Sequence, residues 1–216
     1  MDLGLNGKVA LVTGGARDVG RKIVLALVNE GAAVAINYRG SEAEALALVT
    51  EIEGQGGTAR SYGADVTDYD AVCAMTEQVV ADFGRLDVLV NNAGYVMPQR
   101  FVKTTPADWH SQIDVGLYGV IHCCHAAVPH LAASGGGRII SLAGDSARVG
   151  EKGLSITAAS RGGVLSLTKS LAKELGGDGI AVNAVALGLV ETGHSDKEWL
   201  ETNMAKIVRN YPSGRI

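Results

Sequence analysis

The stretch VALVTGGARDVG, residues 9–20, decides the fold of this chain. Its apolar start, residues 9–12, is typical of a buried strand. A glycine-rich turn follows, and the apolar periodicity of residues 23–28 predicts a helix that ends at Gly31. A second apolar run at residues 34–37 completes a βαβ unit. In such a unit the turn directs backbone N–H groups and the positive end of the helix toward a phosphate.

The composition of residues 1–216 predicts one globular domain. Hydrophobic residues make up 47% and charged residues 19% of the chain, with a formal net charge of −4. No basic block indicates a nucleic-acid partner, and no uninterrupted apolar run is long enough to cross a membrane. Cys73, Cys123 and Cys124 are few and scattered. This pattern predicts reduced thiols and a cytoplasmic location.

Four more strands are predicted, at residues 58–61, 86–90, 138–142 and 180–185. Helical periodicity lies between the strands, at residues 41–53, from residue 67, from residue 105 to about 134, and at residues 155–175. Ser41, Thr67 and Thr105 are the predicted helix caps, and Pro106 fits the first position of its helix. This alternation predicts an α/β protein with a Rossmann-like doubly wound parallel sheet and helices on both faces.

Three segments carry a resemblance to the short-chain dehydrogenase/reductase family. They are Thr13-Gly14 with Gly20, Asp65-Val66, and Asn91-Asn92-Ala93-Gly94, and the resemblance extends over residues 5–216. It implies a parallel sheet that binds a nicotinamide dinucleotide, with the last segment mostly stabilising the sheet. Family members usually continue with a further helix and edge strand, so the resemblance implies that the C-terminal edge strand is missing.

The same resemblance places the family's catalytic Asn, Ser, Tyr and Lys at Gly116, Gly144, Thr157 and Arg161. A Tyr phenol beside an ammonium group can transfer a proton, whereas a Thr hydroxyl is a far weaker acid. An Arg side chain stays protonated and cannot join a proton relay. None of the six Tyr residues has a Lys four positions later. We therefore predict no catalytic residue in this chain.

For the dinucleotide, the resemblance implies a vestigial site. Its positions are Gly14, Arg17, Asp18, Gly20, Arg39, Asp65, Val66, Asn92 and Gly94. Asp18 replaces the middle glycine of the family's turn, and two interpretations are about equal. Its carboxylate repels the pyrophosphate, or it faces solvent and caps the helix.

The end of the second predicted strand bears on the choice of dinucleotide. Asn37 stands where an Asp or Glu would bind the ribose 2′-hydroxyl. Arg39 and Arg17 favour the 2′-phosphate, or are solvated surface charges. We expect no cofactor in this chain, with NADP(H) or NAD(H) if any binds and the phosphorylated form favoured.

A cluster of His and Cys residues in the predicted helix at residues 105–134 raises the question of a metal. Only His122 and His125 have suitable helical spacing there, although Cys123, Cys124 and His130 lie nearby. A zinc site needs three or four ligands on one face. We expect no metal.

The preferred functional prediction is a catalytically inactive subunit that supports an active NAD(P)-dependent hydroxyacyl-CoA or alcohol dehydrogenase. The partner is an active homologous subunit, in a heterodimer or heterotetramer that forms through the helices near residues 105–134 and 155–175. Residues 145–150 and Gly162-Gly163 most resemble dehydrogenases of cyclic or aromatic hydroxyacyl-CoA compounds, among them non-catalytic subunits of heteromeric enzymes.

Two alternatives remain open. The first is an oxidoreductase, isomerase or cyclase of unusual mechanism that acts with NADP(H). Tyr95 or Tyr118 would then supply a hydroxyl. The second is a sensor protein that binds a dinucleotide without reaction.

Overall fold

A six-stranded, all-parallel sheet forms the centre of the protein. The computed structural model describes residues 3–193, Ser195, residues 197–211 and residues 213–215. The strands are β1 (Val9–Val12), β2 (Ala33–Tyr38), β3 (Ala59–Gly63), β4 (Val88–Asn91), β5 (Arg138–Gly144) and β6 (Ala181–Leu187). Their spatial order is β3-β2-β1-β4-β5-β6, which confirms the predicted doubly wound sheet.

The order of the strands reverses between β1 and β4. From β1 the chain winds outward through β2 and β3, and it then returns to place β4 on the other side of β1. The loops that leave β1 and β4 therefore diverge at the carboxyl edge of the sheet. In open α/β sheets this divergence creates the crevice in which ligands bind.

Helices cover both faces of the sheet, as predicted. They are α1 (Asp18–Asn29), α2 (Glu42–Gly54), α3 (Tyr69–Phe83), α4 (Pro106–Ile113), α5 (Gly119–Ala133), α6 (Ser146–Val149), α7 (Ser155–Glu174) and α8 (Lys197–Ile207). Helices α1 and α2 bury their apolar side chains against one face, whereas α3, α5 and α7 cover the other.

Strand β1 shows how one apolar run serves both cores. Val9 and Leu11 point into the layer under α3, α5 and α7, and Ala10 and Val12 point into the layer under α1 and α2. All four side chains are buried. Because successive side chains of a strand face opposite sides, a continuous apolar run is required where helices cover both faces.

Three helix starts test the predicted caps. Thr105 accepts a hydrogen bond from the Asp108 N–H, and the Asp108 carboxylate accepts one from the Thr105 N–H, so the two residues form a capping box. Asp68, not Thr67, caps α3 by accepting from the Ala71 N–H. Ser41 stands at the N-cap of α2 without a side-chain hydrogen bond. The prediction for Thr67 is therefore wrong.

The helical stretch of residues 106–133 is interrupted by a π-helical segment, Asp114–Tyr118. By length and composition alone this stretch could cross a membrane, with 39% of its most apolar window buried. The same stretch contacts α3, α7, β4 and β5, as a core helix of a globular domain does. Cys123 and Cys124 are buried in it, and all three cysteines are free thiols.

Asp87 connects β1 to the start of β4 through hydrogen bonds at the amino edge of the sheet. It is buried, and it accepts hydrogen bonds from Arg85 at 2.6 and 2.7 Å, from the Val9 N–H at 2.9 Å and from Lys8 at 3.2 Å. Burial alone would raise the pKa of this carboxyl, but the hydrogen bonds from Arg85, Val9 and Lys8 lower it below its ordinary value. The two cations are about 40% exposed, so water still solvates them.

Candidate functional site

A cleft of about 920 Å³ opens at the carboxyl ends of β1, β2 and β4, where the order of the strands reverses. Its wall contains all nine positions assigned to a dinucleotide from the sequence: Gly14, Arg17, Asp18, Gly20, Arg39, Asp65, Val66, Asn92 and Gly94. The cleft is large enough for an extended ligand such as a dinucleotide. Residues separated by up to eighty positions in the chain thus meet in one site.

The turn after β1 leaves no room for a side chain at Gly20. A Cβ atom there would overlap the carbonyl oxygen of Gly14 and would lie 2.6 Å from Nδ2 of Asn92. Gly14 has a φ of +59°, a conformation that favours glycine. The turn therefore packs directly against the loop that leaves β4, and the bare backbone is open to a close ligand.

Thr13 and Asn92 hold these two loops together. The Thr13 hydroxyl accepts hydrogen bonds from the N–H groups of Asn92 and Ala93, both at 3.0 Å. In return, the Asn92 amide donates to the carbonyl groups of Thr13 and Gly14, both at 2.9 Å. The Thr-Gly and Asn-Asn-Ala-Gly motifs are thus two halves of one network, which explains why they occur together.

Asn37 has a structural role that was not predicted. It is buried inside β2, and its Oδ1 accepts a hydrogen bond from the Gly14 N–H at 3.2 Å. Its Nδ2 donates to the carbonyl groups of Tyr62 and Ala64. Asn37 therefore braces the glycine-rich turn against the ends of β2 and β3, and its amide is already committed within the protein. A polar residue near the end of an otherwise apolar strand was the signal for this role.

Asp18 is the first residue of α1 and lies in the wall of the cleft. Its φ is +51°, the one positive φ of a non-glycine among the residues that the structure describes. Aspartate tolerates this region better than most residues, but only glycine adopts it without cost. No side chain caps α1, whose N-cap is Arg17. Asp18 is therefore not the N-cap of α1, and its Oδ2 lies 3.9 Å from Nε of Arg17.

Replacing Asp18 with glycine is expected to tighten NADPH binding about tenfold, because it removes a negative charge beside the pyrophosphate. Asp18→Asn is the matched variant, since it keeps a side chain that tolerates positive φ and removes only the charge. Fluorescence titration of both variants measures the effect. Equal affinity of both variants and the parent protein would show that the carboxylate does not face the phosphates.

Arg39 and Asp65 lie together in the part of the cleft next to the end of β2. Nη1 of Arg39 is 3.5 Å from Oδ2 of Asp65, and the Arg39 side chain is 70% exposed. Asp65 accepts hydrogen bonds from the N–H and hydroxyl groups of Thr67, both at 2.9 Å. Burial alone would raise the pKa of Asp65, but these hydrogen bonds and Arg39 lower it below its ordinary value. The Arg39 guanidinium thus remains available to a second anion.

Thr157, at the family's Tyr position, is buried and has a structural contact. Its hydroxyl donates to Oε1 of Gln112 at 2.6 Å, and the Gln112 amide donates to the carbonyl of Asp108. This chain of bonds ties α7 to α4. The hydroxyl is therefore directed into the helix interface and away from the cleft.

Gly116, at the family's Asn position, lies buried in the π-helical segment. A Cβ atom there would be 2.5 Å from the hydroxyl oxygen of Ser160 in α7. The glycine thus permits close contact between the segment and α7. Short π-helical segments are frequent at functional sites, and here the segment remains although the Asn does not.

Arg161, at the family's Lys position, is 8% exposed. Its Nη1 donates to the carbonyl of Leu142 at 2.7 Å, and its Nη2 lies where a side chain on Gly94 would be. Burial lowers the pKa of the guanidinium, which still remains charged. No carboxylate pairs with it among the described residues. Gly94 belongs to the cleft wall, and the guanidinium contacts it from the interior of the protein.

The end of β5 has a hydroxyl that the sequence analysis missed. A Cβ atom on Gly144, at the family's Ser position, would lie 3.2 Å from the hydroxyl oxygen of Ser146 and 3.9 Å from Cγ of Arg161. Ser146 is the first residue of α6 and is buried. The signal in the sequence was a serine two positions after the replaced one.

Two further predictions concern tyrosines and a metal. Tyr95 lies in the cleft wall, whereas Tyr118 is absent from it and stacks near His122. His122 Nδ1 donates to the carbonyl of Val66, and His125 shares a hydrogen bond with Tyr69. Within the described part of the chain, no three His, Cys, Asp or Glu residues are grouped as metal ligands. The supply of a hydroxyl by Tyr95 or Tyr118 therefore stays a prediction.

Relatives of this chain carry reductase names. The 3-oxoacyl-(acyl-carrier-protein) reductase FabG of Staphylococcus aureus strain Mu50 is 43% identical over 189 residues, which cover 88% of this chain and 77% of that protein. The FabG of Thermotoga maritima is 39% identical over 215 residues, covering 98% of this chain and 85% of that protein. The similarity therefore extends well beyond the phosphate-binding turn.

The prediction of a catalytically inactive supporting subunit is wrong by this comparison. Relatives that are 38–43% identical are named as reductases, which points to an active enzyme. The replacements at Gly116, Gly144, Thr157 and Arg161 show which side-chain groups this protein does not use. They leave the cleft and its contacts in place.

The fold of this protein is similar to that of solved dehydrogenase structures. A dehydrogenase/reductase of Sinorhizobium meliloti 1021 superposes with a TM-score of 0.85 at 36% identity, covering 93% of this chain and 81% of that one. The family model described as short chain dehydrogenase matches residues 8–203. The finer resemblance to hydroxyacyl-CoA dehydrogenases stays a prediction. With its sheet order, its cleft and these matches, the chain belongs to the short-chain dehydrogenase family of oxidoreductases.

Proposed function

We propose that this protein is an active oxidoreductase that uses NADP(H) and acts on the carbonyl group of a 3-oxoacyl thioester or on the corresponding hydroxyacyl compound. The observation that carries the proposal is the cleft, where all nine predicted contact positions converge at the reversal of the strand order. The names of the relatives support the substrate class, because they are reductases of 3-oxoacyl groups.

The residues of the cleft fit a dinucleotide. Gly20 has no room for a Cβ atom, so the backbone of the turn can approach a pyrophosphate at the start of α1. Arg39 and Arg17 supply positive charge near the end of β2 and are 70% and 54% exposed. A 2′-phosphate would find these guanidinium groups accessible. The absence of a carboxylate at Asn37 supports NADP(H) in the same way.

When bound, the reduced dinucleotide supplies a hydride. The chain's own residues decide where the reacting oxygen lies and how its charge is stabilised. Thr157 is bonded to Gln112 and Arg161 stays a cation, so neither residue provides the proton. The buried guanidinium of Arg161 instead favours negative charge on an oxygen near Gly94.

Titration with NADPH and NADH, followed by nicotinamide fluorescence and thermal unfolding, tests the cofactor. A bound dinucleotide is expected to raise the unfolding midpoint, because it binds only the folded state. NADPH oxidation with acetoacetyl-CoA tests the reaction, and acetyl-CoA is the control because it lacks the 3-oxo group. Failure of both dinucleotides to bind, or binding without turnover of any 3-oxoacyl thioester, would overturn the proposal.

Arg39→Ala is expected to weaken NADPH binding about tenfold and to leave NADH binding unchanged, because the guanidinium would contact only the 2′-phosphate. Arg60→Ala is the matched control, since Arg60 is also an exposed arginine paired with an aspartate, Asp82, but lies outside the cleft. Equal losses for both dinucleotides would contradict the assignment of Arg39 to the 2′-phosphate.

The assembly with a homologous subunit, through the surface of α4, α5 and α7, stays a proposal. Trp109, Tyr118 and Ile121 of this surface are each more than a third exposed, which supports a protein contact there. Light scattering on the protein expressed alone, and together with a homologue that contains the Ser, Tyr and Lys set, tests it. A single homo-oligomer in both preparations would contradict the mixed assembly.

A further inference from the structure

We infer that the Ser146 hydroxyl binds the reacting oxygen of the substrate in place of the hydroxyl that Gly144 lacks. This inference rests on the proposed function, because it assigns a residue to the substrate side of the same site. It concerns Ser146 of α6 and not any of the four positions at which the family's catalytic residues are replaced.

The first argument is position. The Ser146 oxygen is 3.2 Å from the point that a Cβ atom on Gly144 would occupy. A serine side chain extends from its Cβ by one further bond, so the hydroxyl of Ser146 lies next to the region that a hydroxyl on residue 144 would reach. The glycine at 144 also keeps that region free of a competing side chain.

The second argument is the state of the hydroxyl. Ser146 is 7% exposed, and no hydrogen bond joins its hydroxyl to another described residue. Among those residues, Oδ1 of Asn91 is the one fully enclosed side-chain atom that lacks a partner. The Ser146 oxygen is therefore open to a gap and not sealed in the core. An accessible hydroxyl without a partner in the protein is free to donate a hydrogen bond to a ligand oxygen.

The third argument is the electrostatic surroundings. Cγ of Arg161 is 3.9 Å from the same point on Gly144, and its guanidinium continues to Leu142 and to Gly94 in the cleft wall. Ser146, Gly144, Arg161 and Gly94 thus form a continuous line from the end of β5 to the cleft. An oxygen held by Ser146 lies in the field of a buried cation, which favours partial negative charge on it.

Calorimetric titration with acetoacetyl-CoA tests the inference, with the protein saturated by NADP⁺ so that no turnover occurs. Ser146→Ala is expected to weaken binding of this probe about five- to tenfold, as the loss of one hydrogen bond does, and to leave NADP⁺ binding unchanged. The double variant Ser146→Ala/Gly144→Ser is expected to regain most of the affinity, because removing the Ser146 hydroxyl makes room for the new side chain. Ser170→Ala, on the exposed face of α7, is the control.

The outcomes separate the two claims. If the parent protein binds NADP⁺ but not acetoacetyl-CoA, the proposed substrate class fails and the inference about Ser146 fails with it. If the parent protein binds both ligands and Ser146→Ala binds the probe equally well, only the inference is overturned. Weaker binding in Ser146→Ala without recovery in the double variant would also overturn it, because Ser146 would then act through the local structure.

Discussion

Replacing Gly20 with alanine is expected to weaken dinucleotide binding roughly 100-fold, because the turn whose backbone approaches the pyrophosphate must move. The new Cβ atom would overlap the carbonyl oxygen of Gly14 and crowd the amide of Asn92. Both atoms belong to the network between the two loops, so the turn must shift as a unit. We also expect the free energy of unfolding to fall by about 1–3 kcal/mol, as for other overpacked sites.

Gly40→Ala is the control for this prediction. Gly40 lines the same cleft, yet a Cβ atom there has no neighbour within 4 Å. Fluorescence titration with NADPH and denaturant unfolding of both variants provide the comparison. A Gly20→Ala protein that binds NADPH as tightly as Gly40→Ala does would show that the close contact between the loops is not needed for the ligand.

Asp87→Ala is expected to lower the free energy of unfolding by about 2–4 kcal/mol at pH 7, because it removes a buried carboxylate with charge-assisted hydrogen bonds. The Val9 N–H would lose its acceptor on Asp87, and Lys8 and Arg85 would lose their common anion. Urea unfolding measures the change. Glu51→Gln is the control, because its pair with Arg21 is about one-third exposed and such pairs contribute less than about 1 kcal/mol.

The effect of Asp87 is also expected to depend on pH. Its pKa in the folded protein is lowered below the ordinary aspartate value of 3.8. A lowered pKa gives stability that is fully present above pH 3.8 and is lost as the pH falls through the folded pKa. The difference between the parent protein and Asp87→Ala should therefore be constant near neutral pH and shrink in strong acid. A difference independent of pH would mean that the carboxylate charge contributes nothing.

The sheet and its helices could be predicted from the sequence because periodicity and turn residues point to the same answer. The apolar run of β1, the turn at residues 13–20 and the Thr105 cap each have one simple structural solution. Strand limits were less accurate, since β4 begins at Val88 and not at residue 86. Leu86 is buried before the strand starts, so apolar character alone does not mark the first ladder hydrogen bond.

The positions of the cleft could be predicted as a set, whereas the contacts inside it could not. The role of Asn37 depends on the Gly14 N–H, which is near it only because β1 and β2 pair in a given register. Ser146 was missed for the same reason, since its relation to Gly144 and Arg161 depends on how α6 leaves β5.

The prediction of an inactive subunit was wrong because each of the four replaced positions was judged only by the chemistry of the side chain present there. Thr157 is bonded within a helix interface, and Gly116 permits close helix packing. These are roles in packing, and a sequence motif does not distinguish them from lost catalytic roles. The relatives named as reductases are similar to this chain over most of its length. That similarity depends on many residues and not on four positions.

The network of Thr13, Asn37 and Asn92 has a consequence for the kinetics of binding. These side chains hold the two loops in place through hydrogen bonds that are complete without a ligand. A dinucleotide therefore meets a preorganised surface and loses little conformational entropy in ordering it. Association rates should then vary little among variants of the cleft, and differences in affinity should appear as differences in the residence time of the bound dinucleotide.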